Sequence, residues 1–174
     1  PNSISLAITN MGRLVGLALR HHQTFSIILR NDHDDLLLAS NMLQRIGFNN
    51  IVGYLKNGLE QWIASGRETG CIEDLYLEQF GSKQTRREVK VIDVREPHEF
   101  DEEHIEDSLS IPLTRLEENA KNLKIDGPIT TFCHSGYRST TAASILKRQG
   151  FDNITVSLDG MKVWKSHDFP LETE

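Results

Sequence analysis

Thr131-Phe132-Cys133-His134-Ser135-Gly136-Tyr137-Arg138-Ser139 reads as an apolar strand that runs into a cysteine-led loop and then straight into a helix. Past Ser139, residues Ala142, Ala143 and Leu146 fall three, four and seven positions on, one apolar face of a helix whose first N–H groups point back at the loop. An anion at such a helix end is stabilised by those donors and by the helix field. Cys133 stands where that field acts, Gly136 lets the backbone bend so that successive amides converge, and Arg138 adds a fixed cation. The expected species is a thiolate, or a persulfide whose outer sulfur the loop cradles. The competing reading is a small buried hydrophobe that ends a strand. The glycine, the arginine and the following helix favour the reactive one.

The rest of the chain narrows the setting. Its 174 residues suggest one domain or two small ones. A net charge of -6 offers no basic stripe, so nucleic acid is not an expected partner. No apolar run approaches the ~20 residues of a membrane helix, and Pro1-Asn2-Ser3-Ile4-Ser5-Leu6 has neither part of a secretion signal. The cytoplasm is the default compartment, and two cysteines make no disulfide framework. Cys71 is a minor candidate for a resolving thiol. The seven histidines show no paired ligand spacing, so neither metal nor other cofactor is expected. His33 among Asp32, Asp34 and Asp35 reads as a solvated acidic loop.

The chain repeats itself. Leu43-Gln44-Arg45-Ile46-Gly47-Phe48-Asn49-Asn50-Ile51 recurs as Leu146-Lys147-Arg148-Gln149-Gly150-Phe151-Asp152-Asn153-Ile154, an offset of 103. Gly58-Leu59-Glu60-Gln61-Trp62 recurs as Gly160-Met161-Lys162-Val163-Trp164 at 102. Cys133 then falls on Arg30 and Arg138 on Asp35, so the first copy is expected to be catalytically inactive. Matching Ser108 to Ile111 with Ser3 to Leu6 would put the first copy's opening strand before Pro1, and the chain reads as part of a longer protein. The expected organisation is a truncated domain over 1–70, a linker over 71–87 and an intact domain over 88–174. Gly81 to Arg87 is expected to be a polar hinge, and Glu73 to Phe80 a short helix or strand.

In the second copy, strands at 89–94, 129–132 and 154–158 alternate with helical stretches near 97–100, 113–123 and 139–149. That alternation predicts an α/β fold, a central parallel sheet flanked by helices. Sites in such sheets lie at the carboxyl ends of strands, where Cys133 and Arg95 both fall. Trp62 and Trp164, at equivalent positions, are both expected in cores.

Asp93-Val94-Arg95-Glu96, Glu99-Phe100, His104-Ile105, Ile111-Pro112-Leu113, the Cys133 loop and Leu158-Asp159-Gly160-Met161 together resemble a rhodanese domain over residues 85–174. Glu103 replaces the usual glycine before His-Ile, and Asp107-Ser108 the usual Gly-Ala, which bears on turn geometry. The first copy resembles an inactive rhodanese domain. Its Ile51-Val52-Gly53-Tyr54-Leu55 and Gly58 to Trp62 are similar to the tandem rhodanese tail of bacterial metallo-β-lactamase-fold proteins, of the persulfide dioxygenase or glyoxalase II-like kind. The resemblance implies sulfur transfer from thiosulfate or a persulfide to a thiol or cyanide through a Cys133 persulfide, with Arg138 beside it. It also implies a fused or associated zinc or iron metallo-β-lactamase-fold partner, absent from this chain. His134, Ser135, Gly136, Tyr137 and Ser139 would form the binding loop.

Other roles stay open on sequence alone. Arg95 would bind a donor's sulfonate or sulfite end, or else pair with Glu99. Asp93 is expected to cap loop amides, Tyr137 to shape the rim, and His134 to neighbour the nucleophile without acting as its base. Two other classes compete: a non-catalytic docking or dimerisation module, and a cysteine-dependent phosphatase or arsenate reductase. The four residues between Cys133 and Arg138 make a loop one residue shorter than phosphate-cleaving relatives use, which favours a compact sulfur. An open sheet edge in the first copy suggests a homodimer.

Overall fold

A computed structural model describes residues 2–30 and 34–173. They divide into two compact units, Leu6–Cys71 and Ile72–Glu174, the second also holding Asn2–Ser5. Among the described residues no helix is long and apolar enough to cross a membrane.

The first unit has helix α1 (Met11–Ala18), strand β1 (Phe25–Ile27), α2 (Asp34–Arg45), β2 (Ile51–Tyr54) and α3 (Gly58–Ala64). The two strands pair in parallel. Met11, Val15, Ile27, Ala39, Leu43 and Phe48 form the core, with the helical residues at the four-residue spacing of buried faces. Residues 31–33 of the acidic loop lie outside the described residues.

The second unit runs β3 (Glu73–Asp74), α4 (Leu77–Thr85), β4 (Lys90–Asp93), α5 (Pro97–Glu102), β5 (Leu109–Ser110), α6 (Leu113–Ala120), β6 (Ile129–Phe132), α7 (Tyr137–Arg148), β7 (Ile154–Val156) and α8 (Gly160–Trp164). All pairings in its five-stranded sheet are parallel, in the order β3-β7-β6-β4-β5. The α/β expectation holds for this unit, and its central strand β6 is buried along its whole length. Phe132 turns to one face and meets Phe80, Met161 and Trp164 from α4 and α8. Thr131, one residue earlier, turns to the other and donates to the Ser139 carbonyl of α7 at 3.0 Å. The chain leaves β4 toward β5 on one side and returns to β6 on the other. That reversal opens a crevice between the carboxyl ends of β4 and β6.

The repeat is visible in the backbone. Helices α2 and α7 begin and end 103 positions apart. The glycines after them, Gly47 and Gly150, both hold positive φ, 86° and 97°. Two expectations fail. Residues 72–85 are no linker: β3 is the sheet's edge strand and α4 supplies Leu77 and Phe80 to the core. Gly81 is no hinge. It lies inside α4, where an added Cβ would stand 2.5 Å from the Phe169 ring, so the C-terminal residues lock the helix down. The Ser5 backbone pairs with α7, accepting from Thr141 Oγ1 at 2.8 Å and donating to Ser144 Oγ at 3.0 Å.

The two tryptophans part company. Trp164 is fully buried against Phe80, Phe132 and Phe169. Trp62 is half-buried, donates from Nε1 to the Glu68 carbonyl at 2.9 Å and carries the Arg67 guanidinium over its ring. The cause is the lack, among the described residues of the first unit, of an element matching α4.

Candidate active site

Cys133 follows β6 at the sheet's reversal point and is 1% exposed. Its Sγ accepts a hydrogen bond from the Ser139 amide at 3.3 Å and lies 3.6 Å from Ser139 Oγ. Ser139 is itself immobilised, its hydroxyl within hydrogen-bond distance of the Gly136 and Ser157 carbonyls at 2.8 and 3.0 Å. The sulfur therefore sits at the head of a twelve-residue helix with one amide already aimed at it. Among the described residues, the amides of His134, Ser135, Gly136 and Tyr137 donate to no acceptor in the chain. These are the uncommitted donors that a sulfur or oxygen anion at the loop would meet.

Two glycines clamp the loop. Gly136 takes φ 82° as the residue before α7, and a Cβ there would lie 2.4 Å from the Leu158 carbonyl oxygen. Gly160, at φ 69°, faces the loop from the opposite side, where a Cβ would lie 2.3 Å from the His134 oxygen and 2.6 Å from the Ser135 nitrogen. The Met161 amide closes the contact by donating to the Cys133 carbonyl at 2.9 Å. Such backbone-to-backbone approach leaves no room for any side chain. Gly136 was legible from sequence; the use of Gly160 was not, because its partner lies in the loop and not in its own helix.

Arg138 does not stand free beside the sulfur. Both of its terminal nitrogens are taken by Glu99, Nη1 to Oε2 at 2.5 Å and Nη2 to Oε1 at 2.8 Å. Burial alone would lower the Arg138 pKa, but the Glu99 hydrogen bond and charge, with Cys133 and Asp93 behind them, raise it. On the other side, the hydrogen bond from Arg138 is the chief cause holding Glu99 at about 2, against an ordinary 4.5, with burial opposing. Glu99 also accepts from the Glu96 amide at 3.1 Å, closing a reciprocal cap on α5. One carboxylate thus joins the start of α5 to the start of α7.

Arg95 pairs with Asp93 and not, as expected, with Glu99. It is 3% exposed and grips Asp93 through Nε and Nη2, the latter at 2.7 Å, while Nη2 also donates to the Glu103 carbonyl at 2.7 Å. Asp93 caps the Arg95 amide at 3.0 Å and not the cysteine loop. Buried opposite charges two residues apart satisfy each other before either reaches outward. His134, Ser135 and Tyr137 are exposed. Cys71 lies at the end of the first unit, exposed. Among the described residues, no group of three or more His, Cys, Asp and Glu is placed to hold a metal ion.

Because the folded-state pKa of Glu99 is depressed, the pair's stabilisation is full above about pH 4.5 and is lost as pH falls toward 2. Glu99→Gln is expected to remove that acid-side slope from a denaturation profile. At neutral pH it should cost about 2 kcal/mol, less than a fully sealed pair, because Glu99 is partly exposed to screening solvent. An unchanged acid profile would show that the pair contributes nothing.

Comparison with known proteins adds relatives to this geometry. The rhodanese-like domain family matches residues 76–167. The Bacillus subtilis protein YrkF, whose name provisionally makes it a sulfur carrier, is 35% identical over 112 residues. That match covers 64% of this chain and 59% of YrkF, so the chain spans somewhat over half of that relative's length. The thiosulfate sulfurtransferase GlpE of Coxiella burnetii is 29% identical over 82 residues, 47% of this chain and 77% of GlpE. A crystal structure of a rhodanese-related protein from Thermoplasma volcanium superposes with a TM-score of 0.54 at 28% identity, over 59% of this chain and 99% of that one.

Proposed function

Because this chain belongs to the rhodanese-like domain family, we propose that it is a sulfurtransferase in which Cys133 carries one sulfur atom between a donor and a thiol or cyanide. The observation that carries this reading is Cys133 Sγ held by the Ser139 amide at a helix head, below four loop amides without acceptors. The first unit, with Arg30 at the position that corresponds to Cys133, takes no part in the chemistry.

In the first half-reaction the Cys133 thiolate attacks the outer sulfur of thiosulfate or of a persulfide. The donor S–S bond breaks, sulfite or a thiolate leaves with the electron pair, and Cys133 holds a persulfide. The free loop amides stabilise the negative outer sulfur, while the Ser139 amide stays on Sγ. In the second half an acceptor thiolate or cyanide attacks that outer sulfur and the Cys133 thiolate is released. Arg138 and Glu99 hold the loop's helix in place.

Intact-mass analysis after thiosulfate treatment tests the reading. One added sulfur should appear, map to Cys133 and vanish on adding cyanide; no adduct from thiosulfate or glutathione persulfide, or an adduct on Cys71 alone, would reject it. We extend the proposal to a metallo-β-lactamase-fold partner, fused or associated, which would make a persulfide the natural donor. Faster loading from glutathione persulfide than from thiosulfate supports that partner, and the reverse order counts against it.

A further inference from the structure

The Cys133 thiol and the Ser139 hydroxyl each carry one hydrogen, and three acceptors compete for them. Sγ donates to Ser139 Oγ at 3.6 Å, and that oxygen lies 2.8 Å from the Gly136 carbonyl and 3.0 Å from the Ser157 carbonyl. One hydroxyl hydrogen cannot serve both carbonyls. The Gly136 oxygen already accepts from the Thr140 amide at 3.0 Å and from Thr140 Oγ1 at 2.8 Å, which fills its two lone pairs. While Cys133 is a thiol, the Ser139 hydrogen therefore goes to Ser157. Ser139 and Ser157 are 0% exposed and Cys133 1%, so bulk water does not enter the competition.

Loss of the thiol proton reverses the order. A thiolate only accepts, and a hydrogen bond to a charged acceptor is roughly twice as strong as a neutral one. Rotation about the Ser139 Cβ–Oγ bond is enough to turn the O–H from Ser157 to Sγ, where it joins the Ser139 amide at 3.3 Å. Resting on the sulfurtransferase reading above, we propose that Ser139 is a catalytic residue whose hydroxyl accepts from the Cys133 thiol and donates to the Cys133 thiolate. The thiol proton passes to solvent as the thiolate forms. When the thiolate bonds a donor's outer sulfur, the negative charge moves out onto that sulfur and the hydroxyl returns to Ser157. When an acceptor takes the outer sulfur, the S–S bonding pair returns to Sγ and the hydroxyl follows it. Ser139 thus makes Cys133 the better leaving group in the second half-reaction.

The test is iodoacetamide alkylation of Cys133 in the full 174-residue chain as a function of pH, beside the rate at which cyanide discharges the persulfide. Among the described residues, the charged and titratable groups about the sulfur are His134 in the loop, Arg138 at the head of α7, Glu99 on α5 and the Asp93–Arg95 pair at the end of β4. Ser139→Ala and Ser139→Thr leave all of them, and the Ser139 amide, in place. In Ser139→Ala the pH of half-maximal alkylation should rise by about one pH unit, for one lost bond to a charged sulfur. The plateau rate at high pH should not fall, whereas a merely loosened loop would lower it. Cyanide discharge should slow about tenfold. Ser139→Thr keeps a hydroxyl and should restore both readings; if its extra methyl prevents folding, the Ser139→Ala profile decides alone. An unchanged half-maximal pH, a lowered plateau or an unchanged discharge rate in Ser139→Ala overturns the proposal. A wild type that takes up no sulfur rejects the sulfurtransferase reading instead, and the alkylation profile, which needs no sulfur donor, still reads the hydroxyl.

Discussion

Cys133→Ser should reduce sulfur transfer to background, a loss on the order of 10⁴-fold or more, while the protein unfolds at nearly the same denaturant concentration as the wild type. The change replaces one buried atom, and the new hydroxyl can still accept from the Ser139 amide that now serves Sγ. The stability difference should therefore stay near ~1 kcal/mol. Activity cannot survive, because an alcohol at neutral pH forms neither the thiolate nor the sulfur–sulfur bond that stores the cargo. Steady-state assay with thiosulfate and cyanide, beside a urea curve, measures both halves. Retention of even a few percent of the wild-type rate would move the carrier to another group, and the exposed Cys71 would be the next thiol to examine.

Gly160→Ala should damage the same loop from outside it. The new methyl would stand 2.3 and 2.4 Å from the oxygen and carbon of the His134 carbonyl, neither of which is a flexible tip that can swing away. Its φ of 69° adds strain of its own for any residue with a Cβ. Together the left-handed conformation and the overpacking should cost about 2–5 kcal/mol. The loop can yield only by giving up the bond from the Met161 amide to the Cys133 carbonyl, so activity should fall along with stability. Gly12→Ala is the control: it lies in α1 with nothing within 4 Å of an added Cβ, and should be neutral or slightly stabilising. If Gly160→Ala matched wild type in both measurements, the loop would be compliant and the clamp would have no role.

What the sequence made legible was whatever depends on neighbours along the chain. The Ala142, Ala143 and Leu146 face foretold α7, and the buried run 129–132 foretold β6 to the residue. The internal repeat foretold α2, which matches α7 at both ends. Most of the failures involve partners far away in sequence. Gly81 to Arg87 looks like a hinge by composition, yet its first five residues are helical because Phe80 meets Trp164 and Gly81 admits Phe169. Arg138 looked available because its partner, Glu99, stands 39 residues away and is assigned only when the elements are in place, while Arg95, offered Glu99 as a partner, takes Asp93 two residues away. Trp62 and Trp164 share a motif and differ in burial, since burial belongs to the surrounding elements and not to the motif.

Strand β3 has an implication for the order of events as the protein is made. It is the first strand of its sheet to leave the ribosome, yet among the described residues it pairs only with β7, Glu73 against Thr155, about 80 residues later in the chain. Loop closure over that span precedes any reward, so this pairing forms late. Until β7 arrives, β3 has no ladder and the Phe80 side of α4 has no Trp164 to cover it. The nascent chain would therefore expose this apolar surface for most of the domain's synthesis, a window in which a chaperone would have most to do.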